Sequence, residues 1–298
     1  MFRDANGITP KNTSKTMNGE ADKNAQRSIF YHVGLSKTGS TFLQKKVFPY
    51  LEDIEYIPTN KYRKFAKLIP ETSHNKILVS REFDQQFYIE VKKFAEHYPQ
   101  AIPIIVLREH SSWALSNFKR FVKNGHPYKF QDFIDIVHDK GHFKKIDFNY
   151  SDKIQFLKNH FHNPPLILLY DDLVKNPMMY LETLEAFLHS RYNGNKHELK
   201  PNHVSYSEKS LKSVRFCSQY VPFKKKLEVH RQPVGYIYNL YANIVRYSII
   251  HSSKLLPDVW FRPAPLVTES ELIRLQDYFR EDWNNVCEIA KNQRFGNS

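Results

Sequence analysis

The segment from His32 to Phe42, HVGLSKTGSTF, has the composition of a loop that binds phosphate. It follows an apolar run and precedes residues with helical spacing, so it connects a strand to a helix. Such a connection directs several backbone N–H groups and the positive end of a helix toward one point, which suits a phosphate. Lys37 adds a positive charge, and the hydroxyls of Ser40 and Thr41 add donors. The segment therefore predicts an anion site, although a turn without a ligand has the same composition.

The order of residues in this loop differs from that of ATP-binding proteins. Their loop has a glycine, four other residues and then Gly-Lys-Ser/Thr, whereas here Lys37 precedes Gly39 and Ser40 follows it. We therefore expect the ammonium of Lys37 beside the phosphate oxygen from which a transferred group departs. A cation at that position stabilises the charge of the leaving group.

From Lys37 to Thr41 the loop resembles the 5′-phosphosulfate loop of the sulfotransferase superfamily, which has a lysine, any residue, a glycine and two hydroxyl residues. Members of that superfamily use 3′-phosphoadenosine 5′-phosphosulfate (PAPS) as co-substrate, release 3′-phosphoadenosine 5′-phosphate (PAP), and need no metal. Phe42 takes the place of an aromatic residue that stacks on adenine in some members, with a core position as the alternative. The resemblance assigns PAPS to these residues: Lys37, Thr38, Gly39, Ser40, Thr41 and Phe42.

A second segment resembles the superfamily after the apolar run 104–107. In members, an arginine at the end of this strand and a serine eight positions later bind the 3′-phosphate, and Arg108 and Ser116 have that spacing. Arginine offers a fixed set of donors to phosphate, and a serine two helical turns later can point back to the same anion. An ion pair of Arg108 with Glu109 or Asp171 is the alternative. Both segments are expected at the carboxyl ends of adjacent parallel strands, where such sheets bind ligands.

Transfer of a sulfuryl group to a hydroxyl also needs a residue that takes the hydroxyl proton. Members of the superfamily use a histidine or a glutamate on the acceptor side of the sheet. Glu82 lies just after the second apolar run, in VSREF, and similar Ser-x-Glu segments recur in bacterial and carbohydrate-type members, so it is the first choice. His74 and Glu55 are the other candidates. An ion pair of Glu82 with Arg81 or Lys37, which would lower its pKa, is the structural alternative.

The resemblance covers residues 28–188 and is only general beyond them. Within it, 168–177 matches the strand and helix that follow the nucleotide loops, and Asp171 and Asp172 are expected to begin that helix rather than to catalyse. In the superfamily a later loop closes over the nucleotide, and residues 202–209 are its counterpart. This assigns Lys209 to the cofactor, although the Arg-Lys-Gly triplet typical of that loop is absent.

Apolar runs and helical spacing give the elements that must position these residues. Strands are predicted at 29–33, 76–80, 102–107 and 166–170, and helices at 42–48, 111–122, 130–138, 152–160, 177–188 and 268–291. Continuous apolar strands separated by helices predict an α/β fold, with three α/β/α layers around a central parallel sheet and a P-loop. Residues 1–27 are predicted to be a disordered tail and 28–298 a single sulfotransferase domain. Within it, 222–265 is predicted to be a helical addition on the acceptor side.

Composition restricts the function classes. The chain of 298 residues has 44 Lys and Arg against 31 Asp and Glu, so its formal charge is +13 and an anionic partner is expected. A hydrophobic fraction of 41% excludes a disordered polyelectrolyte. No apolar run approaches the roughly twenty residues of a transmembrane helix. Two cysteines, Cys217 and Cys287, exclude a disulfide framework, and the absence of an apolar leader adds to an expectation of cytoplasmic residence.

Three functions stay open from the residues. A PAPS-dependent sulfotransferase would act on a hydroxyl or amine, and the aromatic and basic residues of 222–265 favour a glycan or glycolipid acceptor. A P-loop phosphotransferase would require Mg²⁺ and a carboxylate such as Asp171. A nucleic-acid-binding protein would use the charge alone, whereas the sulfotransferase interpretation involves no nucleic acid. Four histidines with metal-like spacing lack an accompanying carboxylate signature and are expected on solvated helix faces: His138, His142, His160 and His162.

Overall fold

The computed structural model of the chain describes residues 27–195, 199, 206–221, 233–261 and 265–295. Within them, the strands are β1 (Ser28–His32), β2 (Ile54–Ile57), β3 (Lys76–Ser80), β4 (Ile102–Leu107) and β5 (Leu166–Leu169). They form one sheet in the order β2-β3-β1-β4-β5, and every neighbouring pair is parallel. The predicted α/β fold with a central parallel sheet is therefore confirmed.

Helices connect the strands and continue after β5. The first, α1 (Ser40–Phe42), continues through a π-helical segment, Leu43–Val47, and a 3₁₀ turn, Phe48–Tyr50. The others up to residue 188 are α2 (Phe65–Glu71), α3 (Phe87–His97), α4 (His110–Lys123), α5 (Phe130–Phe133), α6 (Lys145–Phe148), α7 (Tyr150–His160), α8 (Tyr170–Lys175) and α9 (Pro177–Leu188). They are followed by α10 (Glu208–Cys217), α11 (Pro233–Ser252), α12 (Glu269–Tyr278) and α13 (Arg280–Phe295). Among the described helices, none is both long enough and apolar enough to cross a membrane.

Two predicted helices differ from the structure, and one strand was not predicted. The helix predicted at 130–138 ends at Phe133, because Ile134 is extended and bridges to Phe143. The helix predicted at 268–291 is two helices that separate at Phe279. The strand β2 was not predicted, because only its two end residues are buried and its sequence, IEYI, lacks a continuous apolar run.

The sheet is covered on both faces by apolar side chains. Alternate strand residues point to opposite faces, so Ile29 and Tyr31 belong to one buried cluster and Phe30 to the other. The chain leaves β1 toward β2 at one edge and later crosses from β3 to β4 on the other side of β1. The carboxyl ends of β1 and β4 therefore lie where the connections diverge, which is where sheets of this kind leave a crevice for ligands.

Candidate functional site

The loop after β1 has an unusual backbone with two left-handed residues. Lys37 has a φ of 66° and Gly39 a φ of 88°. At Gly39 a Cβ atom would lie 2.6 Å from Cδ2 of Leu173, so both the backbone conformation and the available space require glycine. Lys37 is a non-glycine residue in this region and therefore carries backbone strain, which proteins retain mainly at functional sites.

Hydroxyl groups inside the loop stabilise this conformation. The buried side chains of Thr38 and Ser40 both donate to the carbonyl of Leu35, at 2.6 and 3.1 Å. Thr41 is exposed on the cavity wall. The hydroxyls of Thr38 and Ser40, which the sequence assigns to the ligand, therefore bond to the loop itself. Ser40 also lines a cavity beside Lys37.

The loop is also fixed from outside, by α4 and by the segment after β3. The backbone N–H and the hydroxyl of Ser36 donate to the carboxylate of Asp84, at 3.0 and 2.7 Å. The carbonyl of Ser36 accepts from the indole N–H of buried Trp113, at 2.7 Å. Arg120, two turns further along α4, pairs with Asp84 at 3.0 Å. Helix α4 therefore extends past the carboxyl ends of β1 and β3, beside the loop.

A buried histidine lies beneath the loop. His32 is hydrogen-bonded through Nδ1 to the hydroxyl of Ser80, at 2.8 Å, and burial lowers its pKa to about 3, so the ring is neutral. A Cβ atom at Gly34 would lie 2.7 Å from Nε2 of this ring, so glycine is needed there as well. Sequence reasoning gave His32 no role, because nothing in a strand sequence shows which buried residue supports a loop.

Arg108 joins the end of β4 to the loop. Its Nε donates to the hydroxyl of Ser112 at 2.8 Å, and its Nη1 donates to the carbonyl of Lys37 at 3.2 Å. The guanidinium lies 4.4 Å from the centre of the Tyr170 ring. Glu109, an expected ion-pair partner, instead caps α4 by accepting from backbone N–H groups. Arg108 is thus held in place while its charge faces a cavity.

The cavity has a volume of about 690 Å³. It is lined by Ser36, Lys37, Gly39, Ser40, Thr41, Phe42, Glu82, Arg108, Ser112, Leu115, Ser116, Lys119, Arg120, Lys123, Tyr170, Tyr206 and Leu211. Most of the predicted site residues therefore share one cavity. Its charged groups are five cations and one carboxylate, that of Glu82, which makes it an anion-binding space.

The cavity has two ends with different lining residues. The loop end is lined by Lys37, Arg108 and Tyr170, and the lysine end by Lys119, Lys123 and Tyr206. Sequence reasoning missed both lysines of this end, whereas Tyr206 lies in the predicted closing loop, 202–209. The available signal was the spacing of Ser112, Ser116, Lys119 and Lys123, which recur every three or four residues and so share one helix face.

Electrostatics distinguish Lys37 and Glu82 from the other charged residues. Burial lowers the pKa of Lys37, and the charges of Arg120 and Lys123 lower it further. Burial also raises the pKa of Glu82 to about 7, with a further rise from Asp84, and nearby cations only partly oppose this. A structural ion pair would have lowered that pKa, so the structure favours a carboxyl group that exchanges a proton near neutral pH.

The two other candidate bases lie away from the cavity. His74 precedes β3, at the amino end of the strand, whereas the cavity lies at the carboxyl ends. Its Nδ1 lies 3.6 Å from a carboxylate oxygen of Glu55, and both side chains are about half exposed. Neither residue lines the cavity.

Lys209 also does not join the site. Its ammonium pairs with Asp258 at 3.0 Å and donates to the carbonyls of Lys254 and Leu256. It therefore ties α10 to the segment after α11 and does not line the cavity. Residues 202–205 of the predicted closing loop lie outside the described residues, whereas Tyr206, directly after them, does line it.

The remaining predicted residues have structural surroundings. Asp171 and Asp172 lie in the first turn of α8, as expected for acids at a helix start, and neither lines the cavity. Phe42 packs against one buried cluster and also lines the cavity. Within the part of the chain that the structure describes, no group of three or more His, Cys, Asp or Glu is arranged to hold a metal ion.

Comparisons with known proteins give likenesses of fold. No protein-family model matches the sequence, and no curated protein matches it. The structure is similar to that of a sulfotransferase from Alicyclobacillus acidocaldarius, at 15% identity and a TM-score of 0.46, over 62% of this chain and 88% of that chain. It is also similar to the mouse sulfotransferase SULT7A1 complexed with PAP, at 14% identity and a TM-score of 0.44, over 92% of this chain and 91% of that chain.

Proposed function

We propose that the protein transfers the sulfuryl group of PAPS to a hydroxyl or amine of an acceptor. The observation that carries this proposal is the arrangement of Lys37, Arg108 and Glu82 around one cavity. Lys37 lies on a strained loop, Arg108 is bonded to the backbone of that loop at 3.2 Å, and Glu82 has a pKa raised to about 7. Anion binding, stabilisation of a leaving group and proton acceptance thus have one candidate residue each.

The groups at the loop end fit a nucleotide with two phosphate positions. The backbone and cation of residues 37–41 suit the 5′-phosphosulfate, and Arg108 with Ser116 suits the 3′-phosphate. The rings of Phe42 and Tyr170 offer apolar surface for a base. When bound, PAPS supplies the sulfuryl group, whose bond to the 5′-phosphate oxygen is replaced by a bond to the acceptor oxygen.

The chain's own residues have distinct roles in this transfer. The ammonium of Lys37 stabilises the charge that grows on the departing phosphate oxygen. The carboxylate of Glu82 accepts the proton of the acceptor hydroxyl, and a pKa of about 7 allows it to be unprotonated at neutral pH and still basic enough to accept. The bonds of Ser36 to Asp84 and Trp113 hold the loop that carries Lys37, whose charge acts on Glu82.

The rest of the proposal is supported by the sequence and by general features of the structure. A glycan or glycolipid acceptor is supported by exposed aromatic residues in the described part of 222–265, including Tyr241 and Trp260. Cytoplasmic residence is supported by two free thiols, Cys217 and Cys287. We also propose one sulfotransferase domain from residue 28 onward; residues 1–26 of the predicted tail lie outside the described residues.

A thermal-shift titration tests the proposed function. A ligand that binds only the folded protein raises its stability, so PAP is expected to raise the Tm, and ATP with Mg²⁺ is expected to have a much smaller effect. Arg108→Gln is expected to lose most of the shift with PAP. Lys92→Gln removes an exposed lysine of α3 and serves as the control with the same change in charge.

Two results would contradict the proposal. A shift with ATP and Mg²⁺ but none with PAP would favour the phosphotransferase. If neither nucleotide shifted the Tm, and single-stranded nucleic acid bound with a steep salt dependence, a nucleic-acid-binding function would be favoured instead.

A further inference from the structure

We infer that Lys119 and Lys123 form a subsite for a negatively charged group of the acceptor, so that the substrate is an acidic glycan carrying a carboxylate or a sulfate ester. This inference rests on the proposed function and names the substrate class of the same cavity. Both lysines line the cavity, one helical turn apart on α4.

Their position on α4 separates them from the loop end. Ser112, which is bonded to Arg108, and Ser116 lie on the same helix face closer to β4. With a rise of about 1.5 Å per residue, Lys123 lies about 10 Å along the helix from Ser116. One wall of the cavity thus offers hydroxyls near Arg108 and ammonium groups further along.

The negative charge near these lysines is limited, although the charge of Glu208 acts on Lys119. Both side chains are half-buried, and among the described residues neither forms an ion pair with a carboxylate. The neighbouring cation Arg120 does have one, since it pairs with Asp84 at 3.0 Å. Glu208, on the helix α10 that packs against α4, is already paired with Lys212 at 3.1 Å. Lysines on a cavity wall without an ion pair of their own are available to bind an anion.

The lysine end is close to Lys37, to which we assign the stabilisation of the leaving group. The charge of Lys123 acts on the ammonium of Lys37, so the two lie in the same electrostatic environment. Lys123 also lies 5.4 Å from the centre of the Tyr206 ring, which offers a flat surface beside the cation. An aromatic ring next to ammonium groups suits a sugar ring that carries an acidic substituent.

The loop end also contains an arginine, whereas both cations of the lysine end are lysines. Arg108 has a fixed, planar set of donors with several partners, which suits a ligand of constant geometry such as a nucleotide phosphate. Lys119 and Lys123 are point charges on flexible stems, which suit an anion whose position varies from one sugar unit to the next. The nucleotide therefore belongs to the loop end and the acidic acceptor to the lysine end.

The test compares Lys119→Gln/Lys123→Gln with Lys92→Gln/Lys93→Gln, a control with the same charge change on exposed positions of α3. Calorimetry measures the binding of PAP, and then of a heparin-derived hexasaccharide or neutral maltohexaose to the PAP-saturated protein. We expect the double variant to bind PAP within about twofold of wild type and the acidic hexasaccharide about tenfold more weakly. Added salt should weaken the binding of the acidic hexasaccharide to wild type and have less effect on its binding to the double variant.

Other outcomes would overturn the inference or the proposed function separately. A tenfold loss of PAP affinity in the double variant would show that these lysines bind the nucleotide. Equal binding of acidic and neutral hexasaccharides by wild type would show that no anionic subsite exists. If wild type bound the acidic hexasaccharide through these lysines but did not bind PAP, the subsite would stand and the proposed function would fail.

Discussion

The two ends of the cavity hold their positive charges in different ways. At the loop end, Arg108 bonds to Ser112 and to the carbonyl of Lys37, and the loop itself is bonded to Asp84 and Trp113. At the lysine end, Lys119 and Lys123 have no carboxylate partner among the described residues. Fixed donors favour a ligand of constant shape, and flexible ones favour a variable ligand. One cavity thus combines a preorganised group of cations with an adaptable one.

The largest expected effect tests the chemistry of the loop end. Lys37→Ala removes the cation that stabilises the leaving group, so kcat for sulfuryl transfer should fall about 10³-fold. Steady-state assays with ³⁵S-labelled PAPS measure this, and thermal denaturation checks that the protein stays folded. Lys45→Ala, on the exposed side of the segment after α1, is the control and should keep kcat. If the Lys37→Ala variant transferred the sulfuryl group at close to the wild-type rate, the assignment of this loop to the 5′-phosphosulfate would be wrong.

The next effect concerns the proposed proton acceptor, Glu82. Glu82→Gln should lower kcat/KM about 10²-fold at pH 8, because an amide does not accept the proton. In wild type the rate should rise with pH through about 7, the pKa to which burial raises the carboxyl group, as its active, unprotonated form accumulates. The variant should lose that rise. A variant with the unchanged pH profile would mean that another group takes the proton.

The same variant should also change stability in a pH-dependent way. The pKa of Glu82 is higher in the folded protein than in the unfolded chain, so the folded state loses stability as pH rises from about 4.5 to 7. Glu82→Gln should therefore stabilise the protein at pH 8, on the order of 1–2 kcal/mol after allowance for solvent screening, and not at pH 4. Chemical denaturation at both pH values measures this. Equal effects at both would show that Glu82 is not a buried acid.

A further effect on stability tests whether the conformation of the Lys37 loop is fixed. Gly39→Ala adds a Cβ atom at a φ of 88° and 2.6 Å from Leu173, so it should destabilise the protein by about 1–3 kcal/mol and weaken PAP binding. Gly125→Ala is the control, since Gly125 has a φ of 87° but does not line the cavity. Equal PAP affinity in both variants would show that the loop tolerates rearrangement.

The smallest expected effect concerns the support of the loop from α4. Trp113→Phe keeps the buried ring but removes the hydrogen bond to the carbonyl of Ser36. The free energy of unfolding should fall by about 1–2 kcal/mol, because that carbonyl loses its donor in a buried position. Binding of the acidic hexasaccharide should change less than binding of PAP, which would sharpen the distinction between the two ends. The reverse order would contradict it.

Much of the fold and the loop end could be predicted because their signals are local. Strands such as Ile102–Leu107 are continuous apolar runs, and the Lys37 loop has its chemistry within a few residues. The lysine end was missed although Lys119 and Lys123 share a helix face with Ser116, because the contact that holds α4 beside the loop, between Trp113 and Ser36, joins residues far apart in the sequence. The place of Lys209 in the sequence assigns it to the cofactor, but its ammonium donates to the carbonyls of Lys254 and Leu256 and does not line the cavity.

The most direct test of the division of the cavity is a crystal structure of the protein with PAP bound. The predicted result is a 5′-phosphate against residues 37–41 and a 3′-phosphate at Arg108 and Ser116, with Lys119 and Lys123 free of nucleotide contacts. Either phosphate bound to Lys119 or Lys123, with Arg108 unengaged, would contradict the assignment of the nucleotide to the loop end.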